Sequence, residues 1–238
     1  MQNMARGKKK VGSGFWNYEY KKAGHFALSL NPSEDLEKFL RFIERQSGRS
    51  FLNPTMSMLD LGCGNGRNLI HIAKTYAMRG IGYDISSQAI TQAKDMGKEL
   101  PLAFAVRSIA LAIPLPDASQ ALVLDMMASH VLTHTEREDF QDEVLRVLRP
   151  GGWYFFKTFL LDEDRNALRL LRDHPGKEAG SYIHPLIGVA EYVFTEEEIL
   201  TLIEKRFTIH KVLKSHRHLI KGAPAKRRSI CIYAQKVS

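Results

Sequence analysis

Between residues 57 and 159 the chain changes period again and again. Short apolar runs bounded by turn residues alternate with longer stretches whose apolar side chains recur every three or four positions. Met58-Leu59-Asp60-Leu61, Ile81 to Ile85, Leu102 to Val106, Ala121 to Met126 and Trp153 to Phe159 have the length and composition of buried strands. Leu69, Ile70, Ile72, Ala73, Tyr76 and Ala77 form an apolar helical face predicted to stop near Gly80, and Ser86 or Ser87 caps a helix carrying Ala89, Ile90, Ala93 and Leu100. Thr135-Glu136-Arg137-Glu138 reads as a capping box, and the helix it opens halts at Arg149-Pro150-Gly151-Gly152. Gly80 and Gly97 are read as helix ends. Two further β-rich runs, Thr208 to Leu213 and Ser229 to Ala234, bring the strands to seven. Strand, helix and strand in this repetition require crossovers of one hand. The predicted fold class is therefore α/β and doubly wound: a mostly parallel, seven-stranded sheet with helices on both faces.

The first helix is expected at Asn31-Pro32-Ser33-Glu34, with Asn31 as cap and Pro32 in the first turn, followed by Leu36, Phe39, Leu40 and Ile43 at helical spacing. Residues 1–30 form a basic and aromatic N-terminal segment, partly mobile. Residues 31–238 are expected to form one domain with a lid-like insertion at about 160–194, after which Thr195-Glu196-Glu197-Glu198 caps a last helix. At 238 residues one large α/β domain suits the length better than two small ones.

The two cysteines, Cys63 and Cys231, give neither a disulfide framework nor a zinc site. No apolar run is long enough to span a bilayer, and the basic start lacks the apolar stretch of a signal peptide, so a cytoplasmic location is expected. The net charge of +8 is unevenly placed: residues 205–238 hold ten Lys/Arg and no acid, whereas residues 23–204 hold 18 Lys/Arg against 25 acids. Such asymmetry speaks of partners and not of fold.

The loop Leu59-Asp60-Leu61-Gly62-Cys63-Gly64-Asn65-Gly66 joins the first of the five strands to a helix. The carboxyl end of a parallel strand is where such sheets bind ligands, and glycines let the backbone turn tightly and approach one. Asp84 closes the next strand 22 residues after Gly62. In nucleotide-binding folds an acid at that place holds ribose hydroxyls. A dinucleotide fingerprint would need a third small residue at position 67, which is Arg67, so a nicotinamide cofactor is disfavoured.

The spacing G-x-G-x-G behind Asp60 resembles motif I of the class I S-adenosylmethionine-dependent methyltransferases. Ile113-Pro114-Leu115-Pro116-Asp117-Ala118-Ser119 resembles the family's approach to its fourth strand, and Leu145-Arg146-Val147-Leu148-Arg149-Pro150-Gly151-Gly152 the turn before its fifth. The resemblance covers roughly residues 57–160, with a weaker echo to 238. It implies a Rossmann-like methyltransferase fold and S-adenosylmethionine as cofactor. It implies that Gly62, Cys63, Gly64 and Gly66 pack on the methionine part, that Asp60 reaches the amino group directly or through water, that Asp84 binds the ribose and that Ile85 flanks the adenine. Ser108-Ile109 stands where many members have an acid on the adenine amine; the acid is absent here, and Ser108 offers a weaker contact. Asp125 and Met126 end the fourth strand, where the family faces cofactor and acceptor. Phe15, Trp16, Tyr18 and Tyr20 are read as a lid over the cofactor or as packing.

The expected function is methyl transfer from S-adenosylmethionine to a small or undefined acceptor. A base is needed only if the acceptor must lose a proton. His130 is the candidate, His134 a weaker one, and a packing role for His130 is the alternative. Neither cysteine suits a nucleophile for pyrimidine C5 methylation, the Asn/Asp-Pro-Pro-aromatic motif is missing after Asp125, and no metal is expected. Arg217, Lys221, Lys226, Arg227 and Arg228 could hold RNA or an anionic small molecule, or form a solvated basic loop. An RNA methyltransferase and a non-catalytic cofactor-binding module remain the alternatives.

Overall fold

The computed structural model describes residues 12–22, 28–215, 219–220, 223–224 and 227–237. Among them, helices α1 (Ser13–Lys22), α2 (Glu34–Ser47), α3 (Arg67–Tyr76), α4 (Ser87–Gly97), α5 (His134–Val147), α6 (Arg165–Asp173) and α7 (Glu196–Glu204) alternate with strands β1 (Ser57–Leu61), β2 (Arg79–Asp84), β3 (Leu102–Val106), β4 (Gln120–Met126), β5 (Leu148–Phe159), β6 (Ser181–Ile183), β7 (Ala190–Tyr192), β8 (Thr208–Lys214), β9 (Leu219–Ile220), β10 (Ala223–Pro224) and β11 (Ser229–Gln235). Seven strands form one sheet in the order β3-β2-β1-β4-β5-β11-β8. β1 to β5 are parallel, and β11 runs antiparallel to both β5 and β8. The order reverses beside β1, so the carboxyl ends of β1 and β4 flank the crevice where such a sheet takes ligands.

The two faces of the sheet bury two apolar cores. One collects Leu36, Phe39, Ile43, Leu69, Ile72, Ala93 and Trp153 from α2, α3, α4 and β5. The other collects Leu59, Val123, Phe140, Val144, Phe156, Ile199, Ile203 and Ile232 from α5, α7 and the opposite strand face. This is the two-faced burial that explains why the strands read as near-continuous apolar runs. Among the described residues no helix is long and apolar enough to cross a membrane.

Several boundaries differ from the sequence reading. A helix, α1, precedes the one expected first. Helix α2 is capped at Ser33 and not at Asn31, and the Ser33 N–H donates to Asn68 Oδ1 at 3.1 Å, a tertiary bond that local patterning does not show. Helix α5 opens from Thr133, whose hydroxyl pairs with Glu136, and not from Thr135. Both threonines have a glutamate three residues on, and burial of Leu132 and Phe140 selects the earlier register. Helix α3 ends at Ala77 in the left-handed region, leaving Gly80 inside β2, where a Cβ would strike Met58 and Leu102. Residues 160–194 carry structure of their own: α6, the β6–β7 hairpin and a small core of Ala167, Tyr182 and Val193.

Candidate functional site

The glycine loop is anchored to the neighbouring strand. The N–H groups of Gly62 and Cys63 both donate to the Tyr83 carbonyl, at 2.8 and 2.9 Å. Gly62 (φ 82°) and Gly64 (φ 55°) occupy backbone conformations that side chains disfavour. A Cβ on Gly62 would collide with Ala128 of the loop after β4, and one on Gly64 with the Tyr20 hydroxyl. The absent side chains thus let three segments converge. Cys63 contributes backbone only: its side chain is buried in the core against Gly82, and burial raises its thiol pKa well above the usual range.

Three carboxylates surround this loop. Asp84 bridges β2 to it, accepting from Gly64 N–H on Oδ2 (2.9 Å) and from Ser86 N–H on Oδ1 (2.8 Å). Burial raises its pKa, and those backbone donors oppose the rise. Asp60, next to last in β1, is 1% exposed, and its Oδ2 has no hydrogen-bond partner. Burial, with Asp84 and Asp125 close by, pushes its pKa up to about 8. Asp125 is fully buried at the end of β4. It accepts from the N–H groups of Ala128 and Ser129 at 3.3 and 3.1 Å, and burial lifts its pKa to about 6. A buried carboxylate oxygen without a partner, beside two more carboxylates, favours a cationic ligand. The ammonium of an amino acid side arm fits Asp60, and vicinal hydroxyls fit Asp84.

The other expected residues are less involved. Met126 Sδ accepts from Asn68 Nδ2 at 3.3 Å, which ties the end of β4 to α3. Ile85 follows Asp84 at the strand end. Ser108 Oγ accepts from Ala110 N–H at 3.3 Å within its own turn, and Ile109 packs on the second core. His130 lies in the single turn after Ala128, 6% exposed, with its ring edge-on to Phe159. His134 starts α5.

Helix α1 docks over this arrangement. Asn17 Oδ1 accepts from Ser86 Oγ (2.8 Å) and Gln88 N–H (3.3 Å), joining the capping of α4, and Gln92 Nε2 donates to the Tyr20 carbonyl. Tyr20 thereby sets its phenol over Gly64. Burial, with Asp84, Cys63 and Asp60 near it, raises its pKa. Asn65 Nδ2 donates to the Ser29 carbonyl at 3.2 Å, holding the following segment to the loop. Sequence reading noticed the aromatics of this region but gave no role to Asn17, Asn65 or Asn68. Isolated asparagines carry no periodic signal, and their bonds span 35 to 71 positions.

Of the basic C-terminal residues read as a possible anion site, only Arg227 and Arg228 are described. Arg217, Lys221 and Lys226 lie outside the described residues. Arg227 and Arg228 are not a free anion site. Arg227 Nε pairs with Asp164 Oδ2 at 2.9 Å and its Nη1 donates to the Tyr182 hydroxyl at 2.6 Å, while Arg228 pairs with Glu163. Their charge fastens the strand β11 to the 160–194 segment, because Asp164 is buried and needs a counter-ion.

Residues 58–152 match the family model described as a methyltransferase domain. A solved S-adenosylmethionine-dependent methyltransferase from Methanosarcina mazei superposes with a TM-score of 0.65 at 25% identity, covering 79% of this chain and 95% of that one. By both comparisons the chain is similar to the class I S-adenosylmethionine-dependent methyltransferases. Its curated relatives include the fatty-acid O-methyltransferase of Mycolicibacterium smegmatis, 27% identical over 60% of this chain and 51% of the relative. The 2-methyl-6-phytyl-1,4-hydroquinone methyltransferase of Synechocystis is 31% identical over 71% of this chain and 54% of the relative. The chain thus spans about half the length of the curated relatives it matches. The family's cofactor fits the three-carboxylate cradle: a cationic amino acid side arm at Asp60 and a ribose at Asp84. Among the described residues no group of three or more His, Cys, Asp or Glu is placed to hold a metal ion.

Proposed function

We propose that this chain is an enzyme that transfers the methyl group of S-adenosylmethionine to a small-molecule acceptor. The carrying observation is Asp60, a buried carboxylate with an unpartnered oxygen inside a glycine loop that Asp84 closes. Asp60 takes the cofactor's ammonium, Asp84 its ribose hydroxyls, and the backbone of Gly62, Cys63, Gly64 and Gly66 its methionine part. Ile85, Ser108 and Ile109 border the adenine. Asp125 and Met126 face the acceptor side, and His130 is the base where the acceptor must lose a proton.

When bound, the cofactor supplies an already activated methyl group, so the chain's task is to position two reactants and exclude water. Helix α1 supplies the cover, with Tyr20 withdrawing to admit the cofactor. The relatives' named substrates are small molecules, and the ion-paired state of Arg227 and Arg228 gives no support to an RNA acceptor.

The test joins titration calorimetry to a transfer assay. Asp84→Ala should weaken S-adenosylmethionine binding by about 2 kcal/mol or more, since it strips acceptors from the ribose hydroxyls. A panel of small hydroxylated and carboxylated acceptors should show transfer of labelled methyl groups. Wild-type affinity in the variant refutes the cradle assignment.

A further inference from the structure

We propose that Glu191 is a positioning residue that holds His130 with Nε2 protonated and Nδ1 bare, fitting it to take a proton from a hydroxyl acceptor. This rests on the proposed methyl transfer and names its acceptor class.

The sequence offers no link between these two residues, which stand 61 positions apart in the turn after β4 and in β7. The fold sets His130 Nε2 3.8 Å from Glu191 Oε1, with both side chains nearly inaccessible. The His130 Nδ1 is buried and has no hydrogen-bond partner. Glu191 is itself fixed: its other oxygen accepts from the Tyr182 hydroxyl, which in turn accepts from Arg227. The relay His130–Glu191–Tyr182–Arg227–Asp164 runs from the turn after β4 into the 160–194 segment and ends at the cap of α6.

The surroundings select His130 as the working imidazole. The titratable groups beside it are Asp125 at the end of β4, Glu191 of β7 and His184 of the loop between β6 and β7. His184, the other imidazole near Glu191, has Nδ1 engaged by the N–H groups of Leu186 and Ile187 at 3.2 and 3.3 Å, and burial lowers its pKa. Glu191 remains ionised: although burial opposes it, His130 and Tyr182 hold its pKa below the usual range. An ionised carboxylate on one ring nitrogen fixes the tautomer and balances the imidazolium formed when the other nitrogen is protonated.

In the step this permits, the acceptor O–H proton passes to His130 Nδ1 while the oxygen's electron pair forms the bond to the methyl carbon. The methyl–sulfur bond breaks with its electron pair left on sulfur. Positive charge moves from sulfonium to imidazolium, 61 residues along the chain from the carboxylate that balances it but beside it in space. A carboxylate acceptor needs no such base.

The full chain, labelled with 15N-histidine and free of cofactor, tests the arrangement by NMR. The expected spectrum shows His130 protonated on Nε2, its signals assigned in the wild type through the ring contact with Phe159. In Glu191→Gln the Nε2-protonated share should fall, since the anion that fixes the tautomer is lost. A wild-type His130 protonated on Nδ1 overturns the proposal, and so does an unchanged tautomer ratio in the variant; the wild-type measurement needs no variant to fold. With labelled S-adenosylmethionine, phenol and octanoate separate the acceptor classes. Transfer to phenol should fall at least about a hundredfold in His130→Gln, whereas transfer to octanoate alone overturns the acceptor class. Failure to bind S-adenosylmethionine would defeat the cradle assignment and leave the tautomer result standing.

Discussion

Replacing Asp60 by asparagine should make the ligand-free protein more stable and the cofactor complex weaker. Asp60 sits fully buried with one oxygen unpartnered, and its pKa rises from 3.8 to about 8. Because the folded-state value exceeds the unfolded one, the folded form binds the proton more tightly. Stability tied to this group is therefore greatest below pH 3.8 and declines as pH rises to about 8, above which the full cost is present. At about 1.4 kcal/mol per unit that cost approaches 5–6 kcal/mol. Asparagine keeps the shape and removes the charge, but its amide inherits the same lack of partners, at about 1–3 kcal/mol. The net gain is about 2–5 kcal/mol at pH 8, a rise in Tm of roughly 5–15 °C for a chain of this size, and it reverses near pH 4 to a loss of about 1–3 kcal/mol, where only the amide's cost is left. Thermal melts of both proteins from pH 4 to pH 9 measure it. S-adenosylmethionine at pH 8 should stabilise the wild type and bind the variant at least about tenfold more weakly, a loss of about 1.4 kcal/mol. A variant that melts no higher than the wild type at pH 8, or that keeps full affinity, refutes the argument that Asp60 is held waiting for a cation.

Tyr20→Ala removes the phenol that covers Gly64, so stopped-flow measurements should show S-adenosylmethionine leaving about tenfold faster, while Asp60 and Asp84 still bind it; an unchanged dissociation rate would show that α1 does not gate the cradle. Arg227→Ala strips the counter-ion from the buried Asp164, which should cost about 3–5 kcal/mol and lower Tm by roughly 10 °C. If the variant instead melts normally and loses affinity for RNA with a flatter salt dependence, Arg227 is a phosphate contact after all.

Much of this molecule was legible in its sequence because the relevant forces are local and periodic. Seven apolar runs gave seven strands in one sheet, since the alternation with helical faces permits only parallel crossovers for β1 to β5. The glycine spacing behind Asp60 and the acid closing the next strand marked the cradle, because a tight backbone turn leaves a visible signature in residue type. Where one local pattern occurred twice, at Thr133 and Thr135, the sequence was silent, and burial of Leu132 and Phe140 chose between them. Tertiary structure alone decided what each polar group faces. It left Asp60 without a partner, set Tyr20 on Gly64 through Asn17 and Gln92, and brought Glu191 beside His130. It also turned Arg227 and Arg228 inward, because a buried Asp164 binds a cation more strongly than solvent does. Composition counts charges, but only the fold determines which of them are already neutralised.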